Sequence, residues 1–240
     1  MIKKIKSLLQ ENRDLHRKNS ARLRELEWAN AYHDSIRGED WINKESLNIG
    51  RWASGYGFFF ILLRILKDAR PKRVLELGLG ESSKFISKFA ENHDYISKHL
   101  IIEHDQSWKD KFLETFILSK YSEVKVCPLV DSNVQGFQNM VYKNFEDVTE
   151  GEFDLFLIDG PFGSANFSRY EIISKIEQFN HDTDFIILFD DVHRKGEQET
   201  LNKIELIMKE KGLIFHKRIL WGNNSTALIV SEKYKFLITV

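Results

Sequence analysis

Residues 73–83 read Arg73-Val-Leu-Glu-Leu-Gly-Leu-Gly-Glu-Ser-Ser83, and this stretch decides the fold. Val74 to Leu77 form a short apolar run suited to a buried strand. Gly78 and Gly80 break it, and Ser82 and Ser83 open a helical pattern continued by Phe85, Ile86 and Phe89. Strand, glycine turn and helix in that order bring backbone N–H groups and a helix N-terminus up to a ligand. No Gly-Lys-Ser/Thr follows, so the turn is not a phosphate-cradling loop. Ser83 stands where a dinucleotide fingerprint has its third glycine, which disfavours a dinucleotide. The charges set the sign of the ligand. Glu76 lies two residues before the turn and Glu81 just inside it, an arrangement that repels a pyrophosphate and attracts a ligand carrying an ammonium and a sulfonium.

S-adenosylmethionine has those charges, and the segment resembles the glycine-rich first motif of class I methyltransferases, Glu/Asp-x-Gly-x-Gly. The resemblance implies that Glu76, Gly78, Gly80, Ser82 and Ser83 meet the cofactor. Downstream, Leu100-Ile-Ile-Glu-His-Asp105 is a second buried strand ending in acid. Glu103 follows Glu76 by 27 residues, about where such folds accept ribose hydroxyls, with Asp105 as the fallback. A helix over about 106–120 turns Trp108, Phe112, Phe116 and Ile117 inward. A third strand is expected over Val124–Val130, followed by Asp131, for which the resemblance implies a contact with the adenine amino group. Residues 134–150 carry no readable pattern. Phe153-Asp-Leu-Phe-Leu-Ile-Asp-Gly-Pro161 and Phe185-Ile-Ile-Leu-Phe-Asp-Asp-Val192 are the fourth and fifth strands, separated by a helix over about 168–179. A helix over 197–211 and strands Leu213–Leu220 and Thr226–Ser231 complete the chain. The expected architecture is an α/β, doubly wound Rossmann-like sheet of seven strands, mostly parallel, with a C-terminal antiparallel hairpin and helices on both faces. The resemblance covers roughly residues 50–232.

The bulk numbers fit a soluble globular chain. Its 240 residues carry 42% hydrophobic and 30% charged side chains with a formal charge of −1, which leaves no overall footprint for nucleic acid. No Asn/Asp-Pro-Pro-Tyr/Phe motif follows the fourth strand, which also argues against a nucleic-acid acceptor. Cys127 is the single cysteine, so no internal disulfide forms, and a reducing cytoplasm is the expected setting. The most apolar run, Phe58 to Leu63, is too short to cross a bilayer. It belongs to a helix expected over 51–67, whose Ser54, Gly55 and Tyr56 approach the cofactor mouth. Residues 1–48 read as a helical extension before a catalytic domain over 49–240. Ile2, Ile5, Leu8, Leu9, Leu15, Leu23 and Leu26 fall at helical spacing, and residues 1–30 hold eight Lys/Arg against four Asp/Glu. This helix is a candidate homodimer contact or lid, and its basic face is either solvated by water or in contact with a membrane surface or an anionic acceptor.

In a doubly wound sheet the strand carboxyl ends share one edge, so Asp159, Asp190 and Asp191 converge there with Glu76 and Glu103. Clustered carboxylates repel unless something positive joins them, and a hard divalent cation, Mg²⁺ or Mn²⁺, is the simplest partner. The set resembles the catechol-type, metal-dependent O-methyltransferases, in which one Asp ends the fourth strand and an Asp-Asn or Asp-Asp pair ends the fifth. That resemblance implies Asp159, Asp190 and Asp191 as metal ligands. The catechol pattern has a lysine base where this chain has Phe162, and His193 is the nearest substitute, with Asp159 also at hand. Asp-Gly-Pro-Phe-Gly163, Ser168-Arg-Tyr170 and Asp-Asp-Val-His-Arg194 resemble polysaccharide methyltransferases, which modify sugar hydroxyls. Arg169 and Arg194 then either hold an anionic group on the sugar or pair with the acidic rim. The expected activity is methyl transfer from S-adenosylmethionine to a hydroxyl of a glycan, polyol or catechol. A metal-independent methyltransferase and a non-catalytic cofactor-binding scaffold are the competing readings.

Overall fold

The computed structural model describes residues 2–50 and 53–239. Its centre is a seven-stranded sheet in the order β3-β2-β1-β6-β7-β9-β8. The strands are β1 (Arg73–Leu77), β2 (Lys98–Glu103), β3 (Ser122–Val126), β6 (Leu155–Ile158), β7 (Ile186–Phe189), β8 (Phe215–Trp221) and β9 (Ser225–Ser231). The first five pair in parallel, and β9 runs antiparallel to both β7 and β8. This is the seven-stranded Rossmann-like sheet with a terminal hairpin that the sequence predicts. Its central strands are continuous apolar runs because both faces are covered. Leu75, Leu77, Phe156, Ile158, Ile187 and Phe189 point to one layer, packed by α8 (Lys195–Glu210) and the short α7 (Ile173–Ile176). Val74, Leu155, Leu157, Ile186 and Leu188 point to the other, packed by α3 (Tyr56–Arg64) and α4 (Glu81–Asn92).

Several boundaries differ from expectation for local reasons. The helix expected over 51–67 begins at Tyr56 and ends in a π-type turn over Ile65–Ala69; Arg51 and Trp52 lie outside the described residues. The expected third strand is two elements. β3 stops at Val126, and beyond Pro128, which has no N–H to donate, β4 (Leu129–Val134) pairs with β5 (Phe137–Tyr142) as a separate antiparallel ribbon. Gln135 and Gly136, both at positive φ, make its two-residue turn. The helix expected over 168–179 is shorter: a 3₁₀ turn over Tyr170–Ile172 runs into α7, after Arg169 in left-handed backbone. Helix α5 (Gln106–Thr115) is shorter than expected and buries Phe112; Trp108 is half exposed and donates its indole N–H to the Leu79 carbonyl at 2.8 Å, and Ile117, beyond the helix end, is exposed. The short α2 (Asp40–Asn43) and α6 (Phe145–Val148), with a 3₁₀ segment over Glu232–Ile238, complete the helices among the described residues.

The N-terminal element is one helix, α1 (Ile2–Ser35), and only its C-terminal part packs on the body. Glu25 is buried there, and its carboxylate accepts the backbone N–H of Tyr56 at 2.7 Å and of Asn223 at 3.1 Å. The approach is close enough that a Cβ on Gly55 would sit 2.8 Å from Glu25 Oε1. Trp28 donates its indole N–H to the Trp221 carbonyl at 3.0 Å, and Tyr32 joins the core beside Tyr56, Phe59 and Phe85. Two backbone N–H groups lose their acceptor in Glu25→Ala, so this variant lowers the unfolding free energy by about 1–3 kcal/mol in urea denaturation.

Candidate active site at the carboxyl edge of the sheet

Two glycine turns meet at this edge. The β1 strand leaves the sheet at Gly78, whose φ of +99° suits glycine, and β6 leaves at Gly160. A Cβ on Gly160 would lie 2.7 Å from Gly78 Cα, so the turns pack backbone against backbone. Asp159 and Gly160 both donate their N–H groups to the Leu77 carbonyl, at 3.1 and 2.6 Å. Gly80 differs. A Cβ there would meet nothing within 4 Å, because Gly80 fronts a cavity of about 500 Å³. The cavity runs from Glu103, His104 and Trp108 past the glycine turn to Ser54, Asp159 and Asp191.

Glu103 faces the turn from the end of β2. One oxygen accepts the N–H groups of His104 and Asp105 at 2.7 and 2.9 Å, and the other accepts that of Leu79 at 3.0 Å. His104 Nδ1 also lies 2.8 Å from the first oxygen, so the acceptor capacity left on Glu103, which lines the cavity, is on the oxygen that holds Leu79. Asp105, the fallback, instead caps α5 through the N–H groups of Ser107 and Trp108. Glu76 lies beneath the turn. It is 1% exposed, accepts from the Ser82 hydroxyl and contacts His99 Nε2 at 2.8 Å, so it supports the loop from below and does not line the cavity. Ser83 accepts the Gly80 N–H at 3.1 Å and is likewise fully buried. The acid that reaches the cavity wall from this motif is Glu81, paired with Lys84 at 2.8 Å. His104 and Phe162 flank the mouth with ring centroids 4.5 Å apart, edge to face, and Phe162 is 73% exposed.

The three aspartates do converge: Asp159, Asp190 and Asp191 bring oxygens within 4.8 Å of one another. They are not alone. The buried Arg169 guanidinium lies 3.4 Å from Asp159 and 3.5 Å from Asp191, and its other amino group donates to the Ile158 and Asp190 carbonyls at 3.2 and 3.1 Å. Arg194 reaches Asp191 at 2.9 Å, and Thr226 donates its hydroxyl to Asp190 at 2.5 Å. Two arginines thus supply positive charge where the sequence reading expected a divalent cation. The three carboxylates are also close enough to share a cation, and Asp191 Oδ1 is buried without a partner. Arg169 and Asp191 both hold left-handed backbone, at φ of 59° and 62°, a strain that collects at functional sites. Burial, reinforced by the Asp190 charge and opposed by Arg169, pushes the Asp159 carboxyl up to about 7. Burial also raises Asp190, against the Thr226 hydrogen bond.

His193 and Asp131 join Glu76, Ser83 and Asp190 among the sequence-derived candidates that do not line the cavity. His193 is exposed on the loop after β7, and the wall passes instead through its neighbours Asp191 and Arg194. Asp131 is exposed on β4 of the separate ribbon, because the chain leaves the main sheet at Pro128. Tyr142, at the end of β5, was missed: it lines the cavity and donates its hydroxyl to the Ile102 carbonyl at 3.2 Å. Thr226 was missed as well. Ser54 meets expectation, lining the cavity and donating to Asp159 at 3.3 Å, whereas Gly55 and Tyr56 are turned toward Glu25.

Comparison with solved structures agrees on the fold. The SAH-bound methyltransferase PaMTH1 of Podospora anserina superposes with a TM-score of 0.50 at 14% identity, over 91% of this chain and 94% of that one. The precorrin-6y C5,15-methyltransferase of Geobacter metallireducens GS-15 gives 0.50 at 10% identity, over 80% and 95%. The architecture is therefore that of a Rossmann-like methyltransferase fold. No family model and no curated protein matches the sequence.

Glu171, near Arg169, has both carboxylate oxygens buried without a partner, and burial raises it to about 8. The folded state therefore holds a proton that the unfolded chain releases above about pH 4.5, so this group costs stability as pH rises from there to about 8. Glu171→Gln removes that dependence. Chemical denaturation should find the variant more stable than the parent at pH 8.5, with the gap closing toward pH 4.5.

Proposed function

We propose that this chain is an S-adenosylmethionine-dependent methyltransferase that acts on a hydroxyl of a glycan, polyol or other small molecule without a resident metal. The open space in front of Gly80, where any side chain would intrude on the cavity, carries the cofactor assignment. The surrounding groups suit the same ligand. Glu103 keeps one acceptor position for a ribose hydroxyl, His104 and Phe162 form an aromatic mouth for a base, and Glu81 and Asp159 meet the positively charged end. Bound there, S-adenosylmethionine supplies a methyl group on a sulfonium centre, which becomes a neutral thioether when the methyl leaves.

The remaining chemistry falls to this chain's own side chains. Asp159 keeps 34% of its side chain accessible at the cavity, and its pKa near 7 suits a group that takes the acceptor's hydroxyl proton as the O–CH₃ bond forms. Arg169 fixes Asp159 and Asp191 in place. Arg194, half exposed at the rim, is free on its outer side to meet an anionic group on the acceptor. A cytoplasmic location belongs to this proposal, with the lone Cys127 buried as a free thiol.

Calorimetric titration with S-adenosylmethionine and S-adenosylhomocysteine tests the first half. Binding is expected for both, and Phe162→Ala should weaken it by roughly tenfold with an unchanged melting temperature, since that ring is mostly in solvent. A methyl-transfer screen with labelled cofactor over sugars, polyols and catechols tests the second half. Activity that survives EDTA and is not raised by Mg²⁺ or Mn²⁺ supports the arginine-neutralised site. Activity that requires a metal restores the catechol-type mechanism, and cofactor binding with no turnover on any acceptor points to a scaffold.

A further inference from the structure

The first two-thirds of α1 stands off the body. Among the described residues, no hydrogen bond or ion pair joins residues 3–20 to anything outside the helix; Gln10 and Arg17 pair only with Asp14. At about 100° per residue, Ile5, Leu8, Leu9, Leu15, Leu23 and Leu26 share an arc of about 120°. Each of them is more than half exposed, from 51% at Ile5 to 62% at Leu23 and Leu26. The residues that dock the helix, Glu25, Trp28 and Tyr32, project from roughly the opposite side. The aliphatic stripe is therefore not a core-facing stripe awaiting a place in this fold. It runs up to the start of the docked segment and points away from the body.

Its charge pattern selects the occupant. Residues 3–24 hold eight Lys/Arg against two Asp/Glu, while the whole chain is −1, so the remainder is net acidic. The basic side chains border both edges of the stripe, with Lys4, Lys18 and Arg22 along one and Lys6, Arg13 and Arg24 along the other. A second copy of this helix would set like-charged rows against each other in either orientation. An anionic bilayer meets both features. Aliphatic side chains enter the acyl boundary, and the flanking Lys and Arg extend their charged ends to the headgroups.

We propose that α1 lies in the surface of an anionic membrane, with the stripe from Ile5 to Leu26 facing the lipid, so that the body is held beside the bilayer. No helix of the described residues is long and apolar enough to cross a membrane, so the attachment is to one surface. The inference is independent of the reading given to the cavity.

The test is co-sedimentation of the full chain with vesicles of phosphatidylcholine alone and of phosphatidylcholine mixed with phosphatidylglycerol. At about 0.1 M salt, binding to the anionic vesicles should exceed binding to the neutral ones by at least about tenfold and fall as salt rises. The double variant Leu8→Ser/Leu15→Ser and the triple variant Lys6→Gln/Arg13→Gln/Lys18→Gln should each lose about tenfold in that binding. Their melting temperatures should match the parent, because all five side chains are exposed. Absence of binding to anionic vesicles overturns the proposal, as does binding that both variants retain. A dimer in light scattering that the leucine variant splits, with no vesicle binding, would assign the stripe to a second copy.

Discussion

The structure depends on a buried guanidinium set among carboxylates. Asp159, Asp190 and Asp191 come from the ends of two neighbouring parallel strands, and their convergence follows from the topology. Two ionised carboxylates about 5 Å apart repel by about 3 kcal/mol at an effective dielectric of 20. Three such pairs approach the total stability of an ordinary domain, roughly 5–15 kcal/mol. The edge of this sheet can persist only with compensation, and it has two kinds. Arg169 and Arg194 supply positive charge, and the raised pKa of Asp159 lets a proton remove part of the negative charge near neutrality. Both leave room for a cationic ligand, which would take the proton's place.

That balance rests on backbone placement as much as on charge. Gly78 and Gly160 touch without side chains between them, which draws the ends of β1 and β6 together and opens the cavity above the turn. On one side, Glu103 ties β2 to the same turn through Leu79. On the other, Arg169 accepts left-handed backbone and spans from the β6 end to the β7 end with one side chain. A ligand in this cavity therefore meets groups from four consecutive strand ends, each fixed by a main-chain contact.

The sheet was legible in the sequence because every central strand is an apolar run that stops at a glycine or an acid. Leu77-Gly78, Ile102-Glu103, Ile158-Asp159 and Phe189-Asp190 each mark a carboxyl end, and the edge they share follows from parallel pairing. Direction within the edge was less legible. Glu76 and Glu103 look alike as strand carboxylates, yet one lies under the turn and the other beside it, since alternation along β1 and the Ser82 hydroxyl turn Glu76 downward. The β4–β5 ribbon escaped because Gln135-Gly136 is a weak hairpin signal and its strands are mostly solvent-facing, without the alternation that a core imposes. Tyr142 was lost with it. Asp131 and His193 show the limit of reading roles from linear distance, for a residue two positions from a ligand site can sit on the far side of a turn.

The N-terminal helix and the cavity are physically joined. Glu25 holds the N–H of Tyr56, and two residues earlier Ser54 donates to Asp159, so α1 is connected to the floor of the site through one short segment. The same carboxylate also holds Asn223 in the β8–β9 turn, and β9 carries Thr226, the donor to Asp190. One buried acid on α1 therefore braces both of the chain segments that orient the aspartates. The lipid-facing stripe lies across the helix from that acid, so adsorption to a bilayer would leave these contacts intact while fixing the direction in which the cavity opens. If the cavity is the methyl-transfer site proposed above, it would then meet acceptors confined to the same surface by diffusion in two dimensions.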